Sequence, residues 1–152
     1  MFETDYIREI LRQGKPILVF DDSDREGETD IFFSAKYVSN SSIRFLRENG
    51  GGMIFLAADN SASTKLGLPF AHEIYETVIN SQESSKMLET MLSHSIPYDH
   101  KSSFSIFINH KDTFTGISDY DRALTSKSFA EILEESVNLS EVESREKVAN
   151  NF

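Results

Sequence analysis

The spacing of apolar positions along the chain predicts helices that alternate with short strands. Apolar residues three or four positions apart indicate amphipathic helices, whereas short continuous or alternating apolar runs indicate strands. The helical pattern occurs over residues 2–13, 40–49, 61–66, 86–92, 125–133 and 140–150. The strand pattern occurs over residues 16–20, 31–35, 53–58 and 103–109.

The predicted strands differ in the burial that their sequences indicate. Residues 16–20 form a continuous apolar run, which predicts a strand buried on both faces. Residues 103–109 alternate polar and apolar side chains, which predicts one apolar face. Glycines 50–52 precede the strand at 53–58. A glycine cluster lets backbone amides approach a phosphate, but a helix stop followed by a turn is the preferred interpretation.

Capping residues and glycines indicate where the helices begin and end. Residues 40–42 are N-cap candidates, and Thr125 is expected to cap the helix that follows it. Ser140 begins a capping-box sequence. Gly50 and Gly67 are expected to end their helices, because glycine adopts left-handed conformations at low cost. The highly charged helix after Ser140 has few apolar residues, so we expect it on the surface rather than in a core.

Composition narrows the class of protein. A chain of 152 residues with 39% hydrophobic residues is long enough for one domain with a sizeable core. The absence of cysteine excludes disulfides and thiolate metal sites, and it fits a cytoplasmic protein. No apolar run approaches the roughly 20 residues that span a bilayer, and no export signal is recognised, so no membrane partner is expected. The net charge of −10 argues against nucleic acid as a partner.

The most chemically distinctive stretch is residues 21–30, directly after the first predicted strand. It contains six carboxylates, one arginine and one glycine. Such a density of like charge is repulsive unless a cation lies among the carboxylates, and hard divalent cations prefer carboxylate oxygen. Arg25 adds a planar guanidinium suited to a phosphate or a carboxylate. The stretch therefore predicts a site for a metal and an anion, with a solvated turn as the alternative.

The spacing excludes an EF-hand calcium loop. Asp22, Asp24 and Glu26 fall at the first, third and fifth positions of that motif, and Gly27 falls at the sixth. The twelfth position requires a bidentate glutamate, but Phe33 stands there. The flanking segments are also predicted as strands rather than helices.

The pattern Asp-Asp-x-Asp-Arg-Glu-x-Glu-x-Asp after an apolar strand resembles the signature of the 3,4-dihydroxy-2-butanone 4-phosphate synthases, lyases of riboflavin biosynthesis. Gly27 and Thr29 are similar to the archaeal branch of that family. Further matching segments follow in order over residues 51–54, 65–70, 102–106 and 114–125. The resemblance implies an α+β fold in which a layered, mixed and twisted β-sheet is flanked by helices, as in the YrdC-like fold.

The resemblance also implies a reaction and the residues that perform it. Members convert D-ribulose 5-phosphate into 3,4-dihydroxy-2-butanone 4-phosphate and formate, require Mg²⁺ or Mn²⁺, and are usually homodimers. By motif position, Glu26 is the expected metal ligand, and Glu26 and Asp30 are the expected catalytic residues. Arg25, Glu26 and Asp30 are expected to bind the sugar phosphate, Asp30 through the sugar hydroxyls. Asp21 and Glu28 are expected to orient these groups or hold water, with a structural role equally open.

A second candidate site lies in residues 115–118. Hydroxyls and backbone amides around a glycine bind phosphate or sugar hydroxyls, so Thr115 and Ser118 are expected to contact the substrate. An ordinary turn before a helix is the alternative, and it is nearly as well supported for Ser118. Asp121 and Arg122 belong to the same motif and also fit a buried structural ion pair.

Several groups that the family uses are not found in this sequence. The four histidines match no motif position, and unassigned histidines are usually surface or satisfied residues. The family's metal-binding histidine, its Arg-Pro-Gly-His segment and an essential glutamate are expected further along, so the resemblance implies that a C-terminal part is missing. A lyase, a non-catalytic sugar-phosphate- or metal-binding remnant, and a YrdC-like nucleotide- or RNA-handling protein all stay open. The last would need a basic face, which the composition does not suggest.

Overall fold

The computed structural model describes residues 2–81, 86–92 and 101–152. The elements are α1 Phe2–Arg12, β1 Ile17–Phe20, β2 Thr29–Phe32, a 3-10 helix Ala35–Tyr37, α2 Asn40–Asn49, α3 Asn60–Leu66, α4 Ala71–Ile79, α5 Lys86–Leu92, α6 Asp119–Ser136 and α7 Glu141–Asn151. The loops predicted beside α5, residues 82–85 and 93–100, lie outside the described residues. Within the described ranges, no helix is both long enough and apolar enough to cross a membrane.

β1 and β2 form an antiparallel hairpin. Ile17 pairs with Phe32, and Phe20 pairs with Thr29, so that residues 21–28 connect the two strands. The acidic stretch therefore lies at the tip of a hairpin, where a strand–loop–strand pattern places it.

Both strands differ in detail from the expectation. β2 begins before the predicted segment 31–35, and residues 35–37 form the 3-10 helix instead. The predicted burial of β1 on both faces is wrong, because Leu18 is 69% exposed and Phe20 is 62% exposed. Each strand has a single partner in the described part of the chain, and no second layer covers these side chains there.

The strands predicted over residues 53–58 and 103–109 are not formed in the described part, where β1 and β2 make up the sheet. The apolar face predicted for residues 103–109 is also wrong, because Phe104 and Ile106 are exposed and Ile108 alone of that face is half-buried. Residues 53–58 nevertheless alternate as a strand does, with even-numbered residues half-buried and odd-numbered ones exposed. The rings of Phe55 and Phe104 meet edge to face, with centroids 6.3 Å apart. The α+β class is confirmed, whereas the layered mixed sheet is not formed among the described residues.

The residues that cap α2 and α3 agree only in part with the predicted caps. Ser39, rather than residues 40–42, caps α2, and its hydroxyl accepts a hydrogen bond from the amide of Ser42 at 3.3 Å. Gly50 ends α2 with a φ of −96°, so the predicted left-handed conformation is wrong there. Gly67 ends α3 with a φ of 74°, which confirms the predicted glycine cap.

α6 is longer than predicted, because Ser118 rather than Thr125 is its N-cap. Thr125 is buried inside the helix, and its hydroxyl accepts a hydrogen bond from the His110 amide at 3.1 Å. The polar residues 119–122 resemble a loop in sequence, although they form the first turn of the helix. α4 was not predicted; it starts two residues after Pro69, which is compatible with a helix start.

Two apolar clusters hold the helices together. The first consists of Val38, Ile43 and Ala123, with Leu46 and Ile54 packed against it. The second is centred on Leu66, Phe129 and Ile132. α6 contributes to both clusters, so its packing connects α2 on one side with α3 and α7 on the other.

α7 belongs to the second cluster, so the predicted surface position is wrong. Ser140 caps this helix with the predicted capping box. Val148 and Phe152 pack against the second cluster, and Ser144 is fully buried. The ring centroids of Phe129 and Phe152 are 6.2 Å apart. These few residues suffice because positions four apart lie on one face of a helix.

Phe129→Ala should lower the free energy of unfolding by about 3–5 kcal/mol, since it removes a buried ring and leaves a cavity. Phe107 is 100% exposed, so the matched change Phe107→Ala should alter stability by about 0.5 kcal/mol or less. Urea denaturation of both variants measures the difference. Equal losses of unfolding free energy in the two variants would show that the second cluster does not stabilise the fold as a core.

Candidate substrate and metal site

Asp21 organises the acidic loop at the hairpin tip. Its Oδ2 accepts a hydrogen bond from the Glu26 amide at 3.1 Å, and its Oδ1 accepts one from the Glu28 amide at 2.9 Å. The Asp21 amide donates to the Glu28 carbonyl at 3.1 Å. One carboxylate thus closes a loop of eight residues across its base, which gives Asp21 a structural role.

A tight turn within the loop is built around Asp22. Its Oδ1 accepts a hydrogen bond from the Asp24 amide at 3.1 Å, and its carbonyl accepts one from the Arg25 amide at 3.0 Å. Gly27 then has a φ of 65°, a left-handed conformation that glycine adopts without a steric penalty. Asp side chains commonly stabilise turns in this manner. Some of the acidic residues of this stretch therefore stabilise a turn, which agrees in part with the solvated turn given as the alternative in the sequence analysis.

The remaining charged side chains of the loop are exposed. They are those of Asp24, Arg25, Glu26, Glu28 and Asp30. Within the described residues, no group of three or more aspartate, glutamate or histidine side chains is arranged to hold a metal ion. In the described part of the chain, the hairpin tip thus exposes carboxylates to solvent but does not group them into a closed metal cage.

The second candidate loop is organised by Asp121, the third residue of α6. The amides of Phe114, Thr115 and Gly116 donate to its carboxylate at 3.2, 3.0 and 3.0 Å, and the Thr115 hydroxyl donates at 3.2 Å. Asp121 is 3% exposed. The Thr115 amide contributes most to a pKa of Asp121 below its ordinary value, and burial opposes this shift.

Asp121 and Arg122 do not form the expected buried ion pair among the described residues. Consecutive residues of a helix do not face one another, and the carboxylate instead meets the loop. Ser118 Oγ accepts a hydrogen bond from the Asp121 amide at 3.0 Å, which is the N-cap bond of α6. The Ser-x-x-Asp spacing of residues 118–121 was the sequence signal for this arrangement.

The same helix turn carries an ion pair that the sequence analysis did not identify. Arg47 of α2 meets Asp119 through two hydrogen bonds of 3.2 Å, and Arg44 Nε lies 3.6 Å from the same carboxylate. Hydrogen bonding from Arg47 is the first cause of a pKa of Asp119 below its ordinary value. The hairpin also approaches α2, since the ring of Phe33, directly after β2, meets that of Phe45 edge to face with centroids 5.9 Å apart. Both candidate loops are therefore supported by α2.

The histidines of the described residues have structural partners, as expected. The ring of His72 stacks on Phe70 with centroids 5.4 Å apart. His110 is buried, and its Nδ1 accepts a hydrogen bond from the Asp112 amide at 3.2 Å. His94 and His100 lie outside the described residues.

The family model of 3,4-dihydroxy-2-butanone 4-phosphate synthase matches residues 5–145, which include both loops. The chain belongs to this family. The similarity confirms the resemblance that the acidic motif indicated.

Archaeal relatives show how much of the family's length is present. The 3,4-dihydroxy-2-butanone 4-phosphate synthase of Archaeoglobus fulgidus is 44% identical over 124 residues, which cover 82% of this chain and 51% of that protein. That of Methanosarcina acetivorans is 41% identical over 131 residues, covering 86% and 52%. The chain spans about half the length of these curated relatives.

Solved structures of the family have the same fold. The two-domain 3,4-dihydroxy-2-butanone 4-phosphate synthase RibBX of A. baumannii gives a TM-score of 0.56 at 23% identity, covering 82% of this chain and 30% of that one. The enzyme of Candida albicans gives 0.55 at 25% identity, covering 83% and 51%. These similarities confirm the α+β class.

The pKa of Asp121 predicts how the second loop responds to acid. Because the folded-state pKa is lowered, the stabilisation is present above the ordinary aspartate pKa of about 3.9 and is lost as the pH falls through the lower folded value. The amide resonances of Phe114, Thr115 and Gly116 should stay constant from pH 8 to about 4 and shift together below it. A pH series of NMR spectra measures this. If the three resonances shifted with a common midpoint above the ordinary aspartate pKa, the lowered pKa of Asp121 would be contradicted.

Proposed function

We propose that this chain carries the metal- and sugar-phosphate-binding part of a lyase of riboflavin biosynthesis. The proposed reaction converts D-ribulose 5-phosphate into 3,4-dihydroxy-2-butanone 4-phosphate and formate. The observation that carries the proposal is the hairpin tip, where Asp21 fixes the loop and leaves Arg25, Glu26 and Asp30 exposed. Membership of the synthase family supports the same conclusion.

The residues of the tip fit a hard divalent cation. Glu26 would hold Mg²⁺ or Mn²⁺ through a carboxylate oxygen, the ligand type that these ions prefer. A bound divalent cation polarises a carbonyl oxygen and stabilises the negative charge that develops there. With one protein ligand assigned, water and substrate oxygens complete the coordination, so the affinity of the metal alone is weak.

The other residues bind and orient the sugar phosphate. The Arg25 guanidinium matches a phosphate with two parallel hydrogen bonds. Asp30 lies in β2, paired with Val19, and its exposed carboxylate accepts hydrogen bonds from sugar hydroxyls and can take up a proton. Asp21 acts through the loop, because both of its oxygens accept backbone amides. The exposed carboxylate of Glu28 holds water beside them.

Binding without turnover is the second candidate function. The hairpin tip supports it as well, because exposed Arg25 and Glu26 side chains suit a phosphate and a metal whether or not a reaction follows. The two candidates share the hairpin tip and differ in the release of formate. The homodimer expected from the resemblance remains a prediction.

Glu26→Gln should abolish Mn²⁺ binding at the hairpin tip, since the amide keeps the shape and loses the charge. Water-proton relaxation in Mn²⁺ titrations measures the binding. Glu146→Gln, an exposed position on α7, is the matched control and should behave as the parent chain does. Equal binding by the parent and Glu26→Gln would place the metal elsewhere.

Arg25→Lys should weaken ribulose 5-phosphate binding about tenfold or more, because lysine keeps the charge but loses the planar pair of donors. Isothermal titration calorimetry with Mg²⁺ present measures the dissociation constant. Arg8→Lys on α1 is the control and should leave it unchanged. An unaltered constant for Arg25→Lys would assign Arg25 a surface role.

The 152-residue chain should not release formate from ribulose 5-phosphate. Each positioned acid or base contributes about 10²–10⁴-fold, and the resemblance places a histidine and a glutamate of the family beyond residue 152. A chimera that continues into the second half of the Archaeoglobus fulgidus relative should be active. A formate assay with Mg²⁺ compares the two proteins. Formate release at comparable rates by the two proteins would contradict the second candidate function. It would also contradict the placement of the histidine and the glutamate further along the chain.

A further inference from the structure

Residues 53–58 alternate in burial as a strand does, but they have no strand partner in the described part of the chain. Among the described residues, neither their amides nor their carbonyls form a backbone hydrogen bond. Unpaired backbone groups of this kind are a template for another strand. The segment contains no charged residue and no proline, which are the usual protection against such pairing.

A second unpaired segment lies beside the first. The rings of Phe55 and Phe104 meet edge to face, and residues 106–108 also form no backbone hydrogen bond within the described ranges. We call the exposed side chains of Met53, Phe55, Phe104 and Ile106 the Phe55–Phe104 surface. Their exposed fractions lie between 44% and 64%. Neighbouring apolar side chains exposed to this extent mark an interaction site.

The accessible area of the chain indicates the size of the partner. It is 11136 Å² for a chain of 17.3 kDa. Folded monomers of this mass expose about 7,800 Å², so the excess is roughly 3,300 Å². Even large, permanent interfaces bury only about 1,000–2,500 Å² on each side. The excess therefore suits a folded partner that completes a core, rather than a peptide or a small ligand.

The family contains a polypeptide of that size. The chain spans about half the length of its curated relatives, so each relative has about as much polypeptide again, here called the unmatched half. We propose that the Phe55–Phe104 surface binds strands of the unmatched half, which pair with residues 53–58 and 106–108. Added strands gain main-chain hydrogen bonds, and their alternate side chains cover the apolar surface.

A second copy of this chain suits the surface less well. Each copy has a net charge of −10, which opposes association between copies. A relative also contains the unmatched half within its own chain, so no second copy is needed to supply it. The inference concerns completion of the fold, and it does not depend on metal or sugar-phosphate binding at the hairpin tip.

A cleavable chimera tests the inference. It joins the 152 residues, a protease site and the second half of the Archaeoglobus fulgidus relative. After cleavage, the two parts should sediment as one species. Amide hydrogen exchange at residues 53–58 and 106–108 should be about 100-fold or more slower than in the 152-residue chain alone, because strand pairing protects amides. Separation of the parts, or unchanged exchange at these amides, would overturn the inference.

The 152-residue chain alone tests the alternative occupant. Hydrogen exchange at residues 53–58 should not depend on its concentration. Protection of these amides that increases with concentration would assign the surface to a second copy and contradict the inference.

Phe55→Lys tests the side chains of the surface. The complex would bury the added charge, so the dissociation constant of the cleaved parts should rise about tenfold or more. Fluorescence anisotropy on dilution measures it. Val142→Lys on α7, where the side chain is 67% exposed, is the matched control and should leave the constant unchanged. Ile106→Lys repeats the test on the second segment. If neither Phe55→Lys nor Ile106→Lys weakens binding more than Val142→Lys does, the partner does not lie on this surface.

Discussion

The packing of α6 between two apolar clusters is the constraint on which the rest of the structure depends. Ala123 joins α6 to α2, and Phe129 and Ile132 join it to α3 and α7. Contacts near the start and in the second half of this 18-residue helix fix its position against three neighbouring helices. The loop before α6 is therefore fixed by helix packing, because the carboxylate that organises it, Asp121, belongs to the first turn.

The two candidate loops share one physical solution. Each wraps around a single carboxylate, Asp21 or Asp121, which accepts hydrogen bonds from backbone amides of the loop. Hydrogen bonds to an ionised acceptor are stronger than those between neutral groups, so one aspartate can hold a loop that has no core of its own. The difference lies in the remaining side chains. The hairpin tip keeps Glu26 and Asp30 exposed, whereas Thr115 of the second loop donates its hydroxyl to Asp121.

Sequence patterns predicted what is local and missed what depends on tertiary packing. The helices α1, α3, α5 and α7 and the acidic loop between two strands follow from period, caps and glycines, which act within a few residues. The start of α6 was missed because Ser118 and Thr125 are equally good caps in isolation, and the burial of Thr125 decides between them. The acidic motif located the hairpin tip. It could not show that Asp21 serves the backbone, since composition does not distinguish a carboxylate that binds a ligand from one that binds its own chain.

Residues 53–58 show that alternation of burial and strand pairing are separate requirements. Alternation needs one apolar surface to pack on, and the helices provide it: Ile54 packs on the first cluster, and Leu56 and Ile108 pack on the second. Pairing needs a neighbouring backbone, and the described residues form ladder hydrogen bonds in β1 and β2. The helical layer thus defines the inward face of residues 53–58. The hairpin meets the same layer through the ring of Phe33, directly after β2, which packs edge to face on Phe45 of α2. Helix packing therefore fixes the loop before α6, whereas strand pairing and the contact with α2 place the hairpin tip.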